Sequence, residues 1–175
     1  AAAPAVEAVA SEPRSSIDTA IVLEGATNEY LRFLYLDRAA KMSLAVGRTE
    51  DARQFATDML LLDEKSSRGD SKKSNGDVVY NGHLVLGRIA LDKGQMEEAK
   101  RHLLASSKSN GSPVLDSFGP NMSLAKDLLE KGEQEAVRQP LELCRRFWRN
   151  DEKLEEWKKD IEAGRIPNFG ANLIY

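Results

Sequence analysis

The stretch that most constrains the fold is residues 84–99, Leu-Val-Leu-Gly-Arg-Ile-Ala-Leu-Asp-Lys-Gly-Gln-Met-Glu-Glu-Ala, followed by Leu103 and Leu104. Gly87 and Ala90 stand three apart, on one side of a helix, and leave a shallow surface. Gly94 marks a turn, and Ala99 lies one helical turn beyond it on a second helix. Two antiparallel helices can then approach closely, small residue against small residue. A strand reading fails, because the apolar positions recur at helical spacing and β-branched runs are few.

The same logic recurs on either side. Residues 30–46 read as a helix, Gly47 as its turn, and residues 49–56 as the capped start of a second helix. Ala39, Ala40 and Ala52 supply small residues there. Further on, residues 121–131 read as a helix followed by Gly132 and then by 133–137, with Ala125 in the place of Gly87. This pattern of a Leu-Gly pair, a turn glycine and a following alanine resembles the tetratricopeptide repeat, most closely over residues 80–107 and more loosely over 28–149. The resemblance implies an all-α fold of three helical hairpins in a short right-handed array. The turn glycines are 47 and 38 residues apart, against about 34 for that repeat. The surplus falls in two polar stretches, 65–76 and 109–120, both read as loops. Leu115 and Phe118 are expected to pin the second loop to the body.

Two more helices bracket the array: a short leading helix over 17–23 ended by Gly25, and a last one capped by Asn150. The last carries a stripe of Leu154, Trp157 and Ile161 and is expected to cover Val137, Leu141, Cys144 and Trp148, capping the stack. Pro140 is expected to bend the helix that contains it or to force a new start. The tail 166–175 is too apolar to be left in water, so it should dock on the bundle or on a partner.

Length and charge support one domain over 17–175, preceded by an Ala/Pro/Ser-rich linker over 1–16. The chain has 175 residues, 25 basic and 28 acidic, for a net charge of -3. These charges are well mixed, which gives no global electrostatic case for nucleic acid. No apolar run approaches the roughly 20 residues that cross a bilayer. The linker resembles the segment found directly after a cleaved signal peptide or lipid anchor, which would make the protein periplasmic or lipid-anchored, the alternative being a proteolytic start in a cytoplasmic protein.

Catalytic and metal readings find little. The histidines are His83 and His102, with no His-Glu-x-x-His spacing, and a single cysteine cannot complete a thiolate site. Cys144 shares a helical stripe with Val137, Leu141 and Trp148 and reads as core. Glu97, Glu98, Glu133 and Glu135 follow turn glycines, where they complement helix dipoles. There is no phosphate loop or nucleophile elbow. The expectation is therefore a non-enzymatic scaffold with no cofactor and no metal.

One constellation points to a binding site. Aligning Ala40, Gly87 and Ala125 makes Lys41, Arg88 and Lys126 equivalent, and in tetratricopeptide-like arrays that side of the first helix lines the concave groove. A basic ladder with an apolar border at Leu84 and Leu91 suits an acidic, partly apolar peptide. Asn81 alone matches the asparagine character of the family's carboxylate clamp. Two alternatives belong to other classes. An assembly subunit would dock through an exposed apolar tail near Phe169 and Tyr175. A nucleic-acid module, the weaker of the two, would use Arg138, Arg145, Arg146 and Arg149 with Phe147 and Trp148 as a basic aromatic face.

Overall fold

In the computed structural model the described residues are 29–67 and 75–174. They form eight α-helices and two short 3-10 turns, with no strand among them. The helices are α1 (Glu29–Ala45), α2 (Thr49–Ser67), α3 (Gly76–Asp92), α4 (Met96–Ser107), α5 (Pro113–Phe118), α6 (Ser123–Glu130), α7 (Gln134–Leu143) and α8 (Asp151–Glu162). The expected leading helix over 17–23 and the linker 1–16 lie outside the described residues.

One turn geometry joins α1 to α2, α3 to α4 and α6 to α7. Gly47, Gly94 and Gly132 adopt φ of 75°, 74° and 82°. Each glycine N–H donates to a carbonyl three residues back, and the following N–H donates five residues back. The second of these bonds runs from Arg48 to Ser43 at 2.8 Å, from Gln95 to Ala90 at 2.9 Å and from Glu133 to Leu128 at 3.0 Å. This paired arrangement closes a helix while satisfying its last carbonyls. Gly164 repeats it after α8, with φ 73° and an Arg165 N–H to Asp160 carbonyl bond of 2.8 Å.

Helix α3 divides the interior. Val78, Val85 and Ile89 face a first core with Phe33, Leu36 and Ala40 of α1 and Ala52, Phe55, Ala56 and Met59 of α2. Tyr80, Leu84, Ala90 and Leu91 face a second core built from α4, α6, α7, α8 and the tail. Close approach is needed on both sides. A Cβ on Gly82 would stand 2.9 Å from Leu60 Cδ2 and 3.3 Å from the Ala56 carbonyl oxygen. On the opposite side, a Cβ on Gly87 would run into Leu124 Cδ2 and lie 3.0 Å from His102 Cβ and 3.6 Å from the Ala99 carbonyl oxygen. The small-residue reading of Gly87 therefore extends beyond its own hairpin, to α6.

Both insertions contain helical residues. Residues 65–67 complete α2 and Gly76 opens α3; residues 68–74 between them lie outside the described residues. In the second insertion, residues 113–118 form α5, with Ser112 Oγ accepting from the Leu115 N–H at 3.0 Å. Leu115 is buried, but Phe118 is 69% exposed and does not pin the segment. Polar bonds act there together with Leu115, which enters the second core. Ser109 Oγ–H donates to the Gly76 carbonyl at 2.8 Å, and Ser112 Oγ–H donates to Asp77 Oδ1 at 2.7 Å. Pro140 starts no new helix: α7 passes through it and tightens into a 3-10 turn over Cys144–Arg146.

The C-terminal expectations are met on the bundle side. Asn150 Oδ1 accepts from the Lys153 N–H at 3.2 Å, and Leu154, Trp157 and Ile161 are buried. Trp157 stacks 5.4 Å from Trp148 and meets Phe169 edge-on at 5.0 Å. Asn172 latches the tail: its Nδ2 donates to the Phe118 and Pro120 carbonyls at 2.9 and 3.0 Å, and its carbonyl accepts from the Met122 N–H at 2.7 Å.

Two glycine substitutions separate backbone strain from steric overlap. Gly94→Ala meets no atom within 4 Å, so its expected cost is that of the left-handed backbone, roughly 1–2 kcal/mol. Gly87→Leu keeps an ordinary helical backbone and should cost about 1–3 kcal/mol through overpacking. Urea denaturation checks both, and an unchanged midpoint for Gly87→Leu would mean that α3, α4 and α6 are not closely packed there.

Candidate functional site

A cleft of about 370 Å³ opens along the side where α1 and α3 lie next to each other. Its apolar lining is Leu44 and Ala45 of α1, Leu84 and Val85 of α3, and Leu173 of the tail; its polar lining is Lys41, Arg88, Asp92, Asn121 and Ser123. Helical spacing puts these residues together. Leu84 and Arg88 are one turn apart on α3, as are Lys41 and Ala45 on α1, so each helix presents a cation beside a short apolar strip. Asn121 and Ser123 come from the start of α6. There Asn121 Oδ1 accepts from the Ser123 N–H at 2.9 Å, and the Asn121 carbonyl accepts from the buried Tyr80 hydroxyl at 2.8 Å.

The expected ladder is brought together only in part. Lys41, Arg88 and Leu84 line the cleft, whereas Lys126 is not among its lining residues. Asn81 is buried at 8% exposure and Leu91 at 7%, Leu91 within the second core, so neither offers a surface to a ligand. Every rung also has a carboxylate. Lys41 Nζ is 2.9 Å from Asp37, Arg88 Nε is 3.3 Å from Asp127 Oδ2, and Lys126 pairs with Glu130. With Asp92 also at the rim, the surface carries both signs instead of a row of unmatched cations.

Two carboxyls near the cleft respond to burial. Desolvation raises the pKa of Asp127, which Arg88 partly offsets. Desolvation likewise raises that of Asp77, offset first by the hydrogen bond from Ser112. Neither shift is legible from the sequence, because the groups that cause them come from other helices.

The basic aromatic alternative is taken up by the fold itself. Phe147 and Trp148 are buried at 5% and 6% exposure. Arg145 is held by Glu142 at 2.8 Å, by Asp151 at 2.6 Å and by Glu155, and Arg138 pairs with Glu135 at 2.9 Å. The expected basic aromatic face is therefore not assembled. In the tail, Phe169 is 1% exposed, while Ile166 and Ile174 are 44% and 75% exposed and Tyr175 lies outside the described residues. Cys144 is buried and its thiol is pushed up to about 12 by desolvation, as suits a core residue.

Sequence reasoning missed a histidine pair. His83 on α3 and His102 on α4 meet Nδ1 to Nδ1 at 3.0 Å, with ring centroids 5.2 Å apart. One ring must donate and the other accept, so the bond requires at least one neutral imidazole. Burial, and then the neighbouring His102, lower the His83 pKa to about 4. Burial also lowers that of His102, with Glu98 acting in the opposite direction. Positions 83 and 102 straddle the turn at Gly94, and antiparallel pairing across that turn is the signal that would have joined them.

Comparison with family models, with curated proteins and with solved structures finds no match to this chain. No helix among the described residues is long and apolar enough to cross a membrane. The functional reading therefore rests on the geometry of the site.

The histidine pair makes acid stability testable. Between pH 6.5 and about 4 the unfolded chain takes up a proton that folded His83 refuses, so this pair contributes stability above pH 6.5 that is lost as pH falls through that window. Asp77 and Asp127, with raised pKa values, act in the opposite sense. Comparing His83→Asn with the parent chain isolates the pair: its thermal midpoint should fall less steeply from about pH 7 to about pH 4.5. Parallel slopes would show that His83 titrates as a solvent-exposed residue.

Proposed function

We propose that this chain is a non-enzymatic protein-binding scaffold whose cleft between α1 and α3 takes a short segment of another protein. The observation that carries this reading is the juxtaposition of two successive first helices, each presenting a cation next to an apolar strip, over one cleft large enough for a few side chains. Support for a tetratricopeptide-like arrangement comes from the three turns of one geometry and from the tight seam at Gly87, Ala99 and Leu124. In such an arrangement, facing first helices form the ligand surface.

The charge pattern refines the partner. An entirely acidic segment would meet Asp37, Asp92 and Asp127 as well as Lys41 and Arg88. A segment with one apolar anchor and charges of both signs fits better, the anchor seated over Leu44, Leu84 and Leu173. Selectivity would then come from apolar fit, with the charges setting orientation.

Panning a displayed random-peptide library on the full chain tests this. Enriched peptides should lose at least about tenfold in affinity, roughly 1.4 kcal/mol, on Leu44→Arg, with circular dichroism confirming that the variant is folded. Lys41→Glu combined with Arg88→Glu should weaken binding further at low salt, whereas Lys126→Glu should leave it unchanged. Peptides whose affinity ignores Leu44→Arg bind elsewhere and would refute the cleft.

A further inference from the structure

The histidine pair of α3 and α4 brings two nitrogen donors to one point. His83 Nδ1 and His102 Nδ1 are 3.0 Å apart, and the ring centroids are 5.2 Å apart. The centroid separation exceeds the nitrogen separation by nearly the full depth of both rings, so the two Nδ1 atoms face each other head-on. The seam between the helices sets this aim: Gly87 stands one turn beyond His83, and a Cβ there would lie 3.0 Å from His102 Cβ. Both rings are half-buried. A carboxylate orients one of them, since Glu98 Oε1, one turn earlier on α4, lies 3.9 Å from His102 Nε2. It favours a hydrogen on Nε2, the outer-shell arrangement that orients metal-binding imidazoles, and leaves the His102 Nδ1 lone pair directed at His83.

We propose that His83 and His102 form a two-coordinate site for a soft monovalent cation of the Cu(I) class, held between the two Nδ1 atoms. Three features select that class. An ion that accepts two opposed donors suits rings that meet head-on, whereas tetrahedral or square-planar ions require both donors to aim at a point off their common line. Bonds of about 2 Å separate the nitrogens by about 4 Å, so each ring withdraws by about 0.5 Å with its aim unchanged. Two donors also complete such a set, and no group of three or more His, Cys, Asp or Glu able to hold an ion occurs among the described residues. Charge acts in the same direction: Arg101 and Arg53 act on His102 against Glu98 alone, and in half-buried surroundings a single positive charge costs less to admit than a double one. The site lies apart from the cleft, whose lining includes neither histidine.

Loading moves one proton without releasing it. In the ion-free pair one Nδ1–H donates to the other Nδ1; in the loaded pair both Nδ1 atoms bind the ion and both rings carry their hydrogen on Nε2. At neutral pH the donor ring therefore exchanges one tautomer for the other, and two coordinate bonds replace the hydrogen bond. Cys144 does not compete, because its thiol is buried. Met42, 59% exposed, is the competing soft donor, and substitution separates it from the pair.

Titrating the full-length chain with Cu(I) under argon, with excess ascorbate and a competing Cu(I) chelator, tests this. One ion per chain should leave the chelator. His83→Asn and His102→Gln should each lower the affinity at least about tenfold, whereas Met42→Leu should leave it unchanged. X-ray absorption should show two nitrogen neighbours and the intense pre-edge feature of linear Cu(I). Heteronuclear NMR of the parent needs no substitution: the chain has two histidines, and both should be Nε2–H tautomers once loaded. Because the ion binds the folded pair, Cu(I) should raise the thermal midpoint of the parent and of neither histidine variant. Absence of saturable uptake, uptake unmoved by either histidine substitution, a three- or four-coordinate spectrum, or a response from only one ring overturns the proposal.

Discussion

The structure depends on α3 being thin on both sides. Gly82 lets α2 come close on one flank, and Gly87 lets α4 and α6 come close on the other. A larger residue at either position would push apart one of two cores that share this helix as a wall. Burial per residue is correspondingly high, since Val85, Ile89 and Tyr80 are each 2% exposed or less. Each glycine in a helix interior costs about 1 kcal/mol of intrinsic propensity, which the close packing of neighbouring helices offsets through dispersion and apolar burial.

The same thinness sets up the cleft. With α1 and α3 drawn together around the first core, Lys41 and Arg88 reach the same opening, but each is paired with a carboxylate one helical turn away or on another helix. Asp37 precedes Lys41 by four residues on α1, and Asp127 arrives from α6. Exposed pairs of this kind contribute little stability, of the order of 0–1 kcal/mol each. Their effect is on recognition: they prevent the cleft from acting as a simple trap for acidic segments. The tail adds the remaining wall. Leu173 lines the cleft only because Asn172 is tied to the Phe118, Pro120 and Met122 backbones.

The range of each interaction decides how much of this is legible in the sequence. Helix pairs joined across Gly47, Gly94 and Gly132 are legible because the turn is local and the left-handed backbone leaves glycine as its mark. The capping stripe of Leu154, Trp157 and Ile161 is legible for the same reason, being periodic within one helix. Lys126 falls outside the cleft because equivalence between hairpins does not carry across an insertion that alters the second junction. Phe118 misleads because an apolar residue in a polar stretch reads as an anchor, while the anchors are Leu115 and the hydroxyls of Ser109 and Ser112. The histidine pair, the Asn172 latch and the raised carboxyls all need partners from distant positions, which no periodicity reveals.

The two junctions differ in a way that bears on how a ligand can approach. Between the first hairpin and the second, α2 packs broadly against α3 and α1 also touches α3; between the second and the third, α4 leans chiefly on α7 and only slightly on α6. The cause is in the insertion. Residues 109–122, which include α5, lie between α4 and α6, are bonded to the start of α3 through Ser109 and Ser112, and are bonded to the tail through Asn172. Helix α6 has eight residues against seventeen in α1 and α3, so the tail fills space that a full-length first helix would otherwise occupy. The cleft is consequently closed at its α6 end by Asn121, Ser123 and Leu173, while toward α1 it is bounded by side chains of a single helix. An entering segment therefore meets its fixed stop at the tail latch and its wall of partly buried or exposed side chains at Lys41, Leu44 and Ala45, and discrimination among ligands should concentrate on α1.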